Sequence, residues 1–390
     1  MEKSEIAPAK AELVPWLNEN LEFYSIPGGF ALSRSRAFQS GRVYGMDVSS
    51  GAAVAALLST DYDDDKDDDE NDQLDDTRAK QPISGALRVL DLCCAPGLKL
   101  CMIADLVAKE STVVGVDIDD NRLAVCRNIV TKYHVDSDTS GNPSSSSSLG
   151  VRIQLHRGDG VHFGTADDSS SSKSELMYDS VVAQEECLVT GTRKRRNKSA
   201  RAREKKRLKQ LNGTTTGTAC SFDMVLVDAE CSTDGSIKHI QQQAAKKDRI
   251  DNSQLTKASE LKGLVELQQG LILSGFRHLK PGGVMVYSTC SLSLAQNESV
   301  VQWLLAQAPD AVLRPVRFSH PCTHDLVVEG TLRGTVRFRP SFAAATTTNT
   351  TTTTTGGGGD GRFAGGGFFL AKIVKKADWK QAFAASVAKC

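Results

Sequence analysis

LRVLDLCCAPGLKLCMIADLVA, residues 87–108, is the stretch that decides the fold. An apolar run from Leu87 to Leu92 stops at a turn holding Pro96 and Gly97, and a helical pattern from Leu98 to Ala108 takes over. The same alternation continues downstream. Strands are expected at Thr112 to Asp117, Val151 to His156, Phe222 to Asp228 and Gly283 to Ser288, and helices at Asn121 to Tyr133, Ser253 to His278 and Ala295 to Gln307. Such alternation makes βαβ units, and these build an α/β fold with a mostly parallel sheet between layers of helices. RGTVRFRPSF and GGFFLAKIVKK end the pattern as a C-terminal hairpin.

Low-complexity blocks lie between these elements and lack the apolar residues to bury a core. Asp61 to Asp76 is nearly all acidic, Ser144 to Ser148 and Ser169 to Ser172 are serine tracts, Arg193 to Lys209 is strongly basic, and Thr346 to Gly359 is threonine then glycine. Ordered material is therefore expected to be about 270 to 300 residues, one large domain with an extension. The expected layout is an N-terminal extension over 1–60 packing on the catalytic domain, an acidic linker over 61–84, and the catalytic domain over 85–390. Insertions are expected near 136–149, 164–220 and 343–362. Gly164 to Cys220 is far longer than the few residues that join a strand to the next element, so it reads as a surface insertion. In the extension, Asp47 or Ser49 is placed to cap a helix carrying Ala52, Val54, Ala55 and Leu58.

Lys and Arg total 47, as do Asp and Glu, but the zero net charge conceals separate acidic and basic blocks. Ten cysteines show no C-x-x-C pair and no metal-like Cys/His spacing, so free thiols in a reducing compartment are expected, and no metal. The N-terminus MEKSEIAPAKAELVPW is too charged for a signal peptide, and no apolar run is long enough to span a bilayer. A soluble intracellular protein without membrane contact is expected.

Open α/β sheets bind ligands beyond the carboxyl ends of their strands. Gly97 lets backbone come close to a bound nucleoside, and the helix after it presents free amides; an ordinary βα turn looks the same. Asp117 ends the next strand about twenty residues on, where an acid accepts both ribose hydroxyls. Asp159, in Arg157-Gly158-Asp159-Gly160, is placed for an adenine amine, although a plain turn reads alike. Acids at successive strand ends without a full G-x-G-x-x-G favour S-adenosylmethionine over a dinucleotide. The fourth strand ends in Asp228-Ala229-Glu230-Cys231 and the fifth in Ser288-Thr289-Cys290-Ser291. One buried cysteine is ordinarily a small apolar residue. Two at neighbouring strand ends beside Asp228 are expected to aim two thiols into one pocket.

These segments resemble the Nol/Nop/Sun family of S-adenosylmethionine-dependent RNA cytosine-carbon-5 methyltransferases. VLDLCCAPGLK is similar to that family's L-D-x-C-A-A-P-G-G-K, DAECS to D-A-P-C-S, PGGVMVYSTCS to G-G-x-x-V-Y-S-T-C-S, and GGFFLAKI to D-G-F-F-x-A; GVDIDDNRL, RGDG and GRVYGMDVSSGAAVAAL also match. The resemblance covers nearly all the ordered sequence, and the two cysteines are its most specific part. It implies a Rossmann-like class I methyltransferase fold, a mostly parallel seven-stranded sheet, acting on structured RNA such as rRNA or tRNA. Cys290 would attack carbon 6 of cytosine, making carbon 5 nucleophilic toward the methyl group. Asp228 would hold the base and assist protonation at ring nitrogen 3. Cys231 would help expel the enzyme after methyl transfer. Cys93, Cys94, Ala95, Pro96, Gly97, Leu98 and Lys99, with Asp117, Arg122, Asp159 and Asp228, would line the cofactor site. Nearby positive charge or helix amides would lower the pKa of the Cys290 thiol, and Lys99 is one candidate.

The chain departs from that pattern at several positions. Leu98 replaces the second glycine of the cofactor turn, Leu100 a usual threonine, Glu230 the proline before the releasing cysteine, and Gly366 an aspartate. Thr233 to His239 departs from the commoner S-G-x-G continuation. A catalytically silent RNA-binding assembly factor on the same scaffold is one rival; retention of both cysteines argues against it. A DNA cytosine methyltransferase is another, but its nucleophile follows a proline after the fourth strand, and Glu230-Cys231 lacks that proline. The basic block Arg193 to Lys209 reads as a nuclear import signal, a phosphate-binding arm or a solvated helix. Lys238 and His239 read as surface residues.

Overall fold

The computed structural model describes residues 11–14, 17, 23–26, 30–59, 85–135, 150–165, 174–190, 198–212, 221–236, 254–316, 318, 326–340 and 366–377. The acidic linker, the insertions expected near 136–149 and 343–362, and Lys238 and His239 lie outside the described residues. Strands are β1 (Glu12–Leu13), β2 (Tyr24–Ser25), β3 (Arg88–Leu92), β4 (Thr112–Asp117), β5 (Arg152–Arg157), β6 (Glu175–Asp179), β7 (Phe222–Asp228), β8 (Leu279–Thr289), β9 (Ala311–Arg314), β10 (Val327–Glu329), β11 (Val336–Phe338) and β12 (Phe368–Lys375). Helices are α1 (Arg36–Gln39), α2 (Val48–Leu58), α3 (Leu98–Leu106), α4 (Asp120–Val130), α5 (Ser180–Thr190), α6 (Lys198–Asn212), α7 (Gln254–His278) and α8 (Glu298–Gln307), with a π-helical turn at Thr131–Val135.

β1 and β2 pair by themselves; the rest form one sheet, ordered β10-β11-β12-β8-β7-β3-β4-β5-β6 with β9 also on β12. β8, β7, β3, β4 and β5 run parallel, and β12 is antiparallel to β8. The sheet has ten strands, not seven. The additions are β6 on one edge and the β10–β11 hairpin beside β12; β11 pairs with β12 as the C-terminal hairpin requires.

Because both faces of a doubly wound sheet are covered, its strands are apolar on both sides. On one face Val89, Val113, Leu226 and Val286 pack with Ala52, Val54 and Leu57 of α2, Leu100 to Ala104 of α3, and Leu123 and Cys126 of α4. On the other Leu90, Leu92, Val116, Val227 and Tyr287 pack with Leu271, Ile272 and Phe276 of α7 and Val300, Val301 and Leu304 of α8. Asp47 caps α2, its carboxylate accepting from the amide and the hydroxyl of Ser49. Lys372 of β12 donates to the Ser59 carbonyl, which fastens the end of α2 to the sheet.

The expectation that Gly164 to Cys220 is only a surface insertion is corrected. Its residues 175–179 form an edge strand antiparallel to β5, with Leu176 and Tyr178 buried. Asp179 accepts from Arg152 and Gln154, and the Ser180 hydroxyl from the Ile153 amide. Sequence length between elements told of a long connection; it could not tell that the connection closes a sheet edge, which unpaired amides and carbonyls favour.

His156 lies buried on β5, edge-on to Phe163, with neither ring nitrogen hydrogen-bonded among the described residues. Burial lowers its pKa to about 4. The unfolded chain thus binds a proton that the fold refuses, so stability falls as pH drops from about 6.5 toward 4, by about 3 kcal/mol in all. His156→Leu is expected to flatten that part of the stability curve, measured by denaturant unfolding at pH 7, 5.5 and 4.5. Among the described residues, no helix is long and apolar enough to cross a membrane.

Candidate active site

Strand order reverses direction between β3 and β7, and there the loops diverge to open a cleft of about 750 Å³ at the carboxyl edge. Cys93, Ala95, Lys99, Asp117, Arg122, Asp159, Asp228, Cys231 and Cys290 all line it. An adjoining hollow of about 190 Å³ is lined by Cys94, Pro96, Gly97 and Leu98 together with Asp91, Lys99 and Asp228. The fold brings every expected site residue to one place.

The turn after β3 is held open from several sides. Gly97 has φ +103°, a left-handed conformation that a side chain would strain, and it starts α3. Arg122 donates to the Ala95 carbonyl at 3.0 Å and stands 3.4 Å from Asp117, whose other oxygen accepts from the Asp119 amide. The Cys94 sulfur turns away, buried against Cys126. Leu100 is part of the core under the turn. Asp159 accepts from the Val161 amide and meets the His162 ring nitrogen at 2.7 Å.

At the reacting end, the sulfurs of Cys231 and Cys290 are 3.3 Å apart. Asp228 lies beside them, accepting from Lys99 at 2.6 Å and from the Ser288 hydroxyl at 2.7 Å. The two thiols are hydrogen-bonded to each other. Cys231 is held below the usual thiol range chiefly by the hydrogen bond from Cys290, with help from the Thr233 and Cys290 amides against burial. Cys290 is pushed up by that same bond, then by burial and the neighbouring negative charge. Lys99, one candidate for lowering that pKa, does pull it down, but its effect is smaller than those that raise it. Its ammonium is already paired with Asp228, which cancels most of its field at the sulfur.

Polar side chains that sequence reading passed over fix the distance between the thiols. Gln296 accepts from the Ser232 amide and donates to the Ser232 hydroxyl, while Gln268 donates to Gln296 and to the Glu230 carbonyl. Glu230 itself is exposed at the cleft. Gly235 donates to the Cys290 carbonyl and accepts from the Gly367 amide, and a Cβ there would stand 2.7 Å from the former. The two catalytic loops and the start of β12 are thereby tied together. Nothing in periodicity marks glutamines on α7 and before α8 as partners across more than twenty residues.

Two further cleft residues also lack a sequence signal of their own. Ile118 is 67% exposed at the cleft wall, an apolar face next to Asp117. Asp91, mid-strand in β3, is 1% exposed, and neither carboxylate oxygen has a hydrogen-bond partner among the described residues. Burial, then the Asp228 charge, raises its pKa well above the carboxylate range. The fold therefore favours protonated Asp91, and its cost grows as pH rises above about 4 through the folded pKa. Asp91→Asn is expected to raise the melting temperature at pH 7 by roughly 2–4 °C, a gain that vanishes below pH ~4. Calorimetric scans at both pH values check it.

The sheet order and the cleft at its carboxyl edge define a Rossmann-like fold of the class I methyltransferase type. Residues 204–345 of this chain match the family described as 16S rRNA methyltransferase RsmB/F. Ribosomal RNA small subunit methyltransferase F of Pectobacterium atrosepticum is 43% identical over 90 residues, 23% of this chain and 17% of that protein. The Klebsiella pneumoniae protein of the same name is 40% identical over 107 residues, 27% of this chain and 20% of that protein. The chain thus aligns with no more than a fifth of the length of these two relatives. Among solved structures, PH0851 superimposes with a TM-score of 0.54 at 18% identity, covering 95% of this chain and 56% of that one, a likeness of fold.

Proposed function

We propose that the chain is an S-adenosylmethionine-dependent methyltransferase that modifies carbon 5 of cytosine in structured RNA, with ribosomal RNA as the first substrate to test. The observation that carries this reading is the pair of sulfurs 3.3 Å apart beside Asp228, in the cleft that also holds the Cys93–Lys99 turn. The residues present fit the cofactor. Asp91 is an unpartnered carboxylate at the floor of the hollow, suited to an ammonium; Asp117 suits ribose hydroxyls; Ile118 offers a face to a purine. When bound there, the cofactor supplies an electrophilic methyl group.

The protein's part is covalent activation of the base. The target cytosine leaves its stack to enter the cleft. Cys290 passes its proton to Cys231 and its sulfur bonds to carbon 6, while Asp228 assists protonation at nitrogen 3, so electron density collects at carbon 5. Once carbon 5 carries the methyl group, its proton leaves to a base, the electrons return to the ring, the carbon 6 to sulfur bond breaks, nitrogen 3 gives up the proton it had taken, and Cys231 returns its proton to Cys290. The test is incubation with tritiated S-adenosylmethionine and ribosomal RNA from cells lacking the gene, then nucleoside mass spectrometry. Label in 5-methylcytidine is expected; no label, or label in another nucleoside, overturns the reading.

A further inference from the structure

We propose that the exposed face of α6 is a second contact for the RNA, a docking surface for phosphates flanking the target; this rests on the proposed RNA substrate. α6 is built with two opposed faces. Glu204 and Leu208 turn inward, Leu208 packing with Leu176 and Val182, and Glu204 taking both oxygens' worth of bonds from Arg127. Two of its arginines are engaged inside the module: Arg207 pairs with Glu185, and Arg203 lies 3.6 Å from Glu186. Lys205, Lys206 and Lys209 remain exposed, and none has an ion pair among the described residues. Spaced three and four apart, they share one face.

The fold holds this face near the cleft. The Asn212 side chain accepts from the Leu176 amide at 2.6 Å, which pins the last turn of α6 to the start of β6. Leu176 is paired with His156, and the next residue of β5, Arg157, leads into Asp159 of the cleft. The carboxyl end of α6 therefore stands at the same edge of the sheet as the thiols. At about 4.8 Å per strand, β6 is about 19 Å from β7 and about 24 Å from β8, whose ends carry the thiols, the rise of about six to seven nucleotides. RNA whose target base enters the cleft brings its flanking backbone to this edge. Lysines bind phosphate as point charges without reading sequence, so the surface adds affinity and not base specificity.

The test replaces Lys205, Lys206 and Lys209 by Gln together, with Lys109→Gln, at the opposite edge of the sheet, as control. Binding of the full chain to ribosomal RNA is titrated at several salt concentrations, separately from methyl transfer. The triple variant is expected to bind about tenfold more weakly, with a log–log salt slope shallower by about 2 to 3, at unchanged melting temperature. Its turnover at saturating RNA should equal the parent's, and Lys109→Gln should change neither. An unchanged affinity and slope overturns the proposal, including the case in which only cellular location shifts, which assigns the face to an import receptor. Absence of methyl transfer by a parent that binds RNA through α6 counts against the proposed chemistry alone.

Discussion

Cys290→Ala is expected to abolish methyl transfer, lowering turnover by at least about a thousandfold, because it removes the sulfur proposed to add to carbon 6. Cys231 is only 3.3 Å away, but it follows a different strand, and Ser232 next to it is tied to Gln296. Tritium transfer to ribosomal RNA at saturating substrate measures the effect. Activity within about threefold of the parent would sink the role given to Cys290.

Cys231→Ala should fail differently, by what it accumulates. Its sulfur is the largest cause of the raised Cys290 pKa, so its removal lets Cys290 ionise more readily with Lys99 still beside it. Attack on carbon 6 persists, and it extends to lower pH than in the parent because thiolate is present further down. Breakdown of the adduct then lacks its proton carrier, and the covalent complex becomes the populated species. On a denaturing gel, Cys231→Ala mixed with RNA and S-adenosylmethionine should show a protein band shifted by attached RNA. Cys290→Ala and the double variant should show none. A shifted band in Cys290→Ala alone would reverse the two roles; no shifted band in any variant, with RNA binding intact, would point to a silent scaffold.

Much of the fold was legible in the chain. β4 and β7 fall on the expected residues, and α3, α4 and α7 begin within a residue of them, because a buried strand and an amphipathic helix each impose their own period on apolar residues. The C-terminal pairing of β11 with β12 was legible for the same reason. The candidate site was legible at its strand ends. A carboxyl edge collects whatever side chains end the strands, so Asp117, Asp228, Cys231 and Cys290 could be placed together once the sheet was parallel.

What did not show in the chain depends on contacts between distant segments. The edge strand β6 looked like part of a polar insertion, since its few apolar residues are diluted by serine and basic runs; only pairing with β5 gives them a place to be buried. Asp91 reads as one acid in a motif, and only its burial without a partner shows a carboxyl group kept for something else. Gln268 and Gln296 become a brace only when α7 and the segment before α8 meet under the Cys231 loop. Sequence by itself determined the alternation of strands and helices, the parallel sheet, and which residues stand at its carboxyl edge, because local periodicity and chain order suffice for these. Tertiary structure decided that the two sulfurs meet within 3.3 Å, how the Lys99 charge is spent, and which lysines of α6 face outward, because each depends on distances of a few ångströms between groups far apart in the chain.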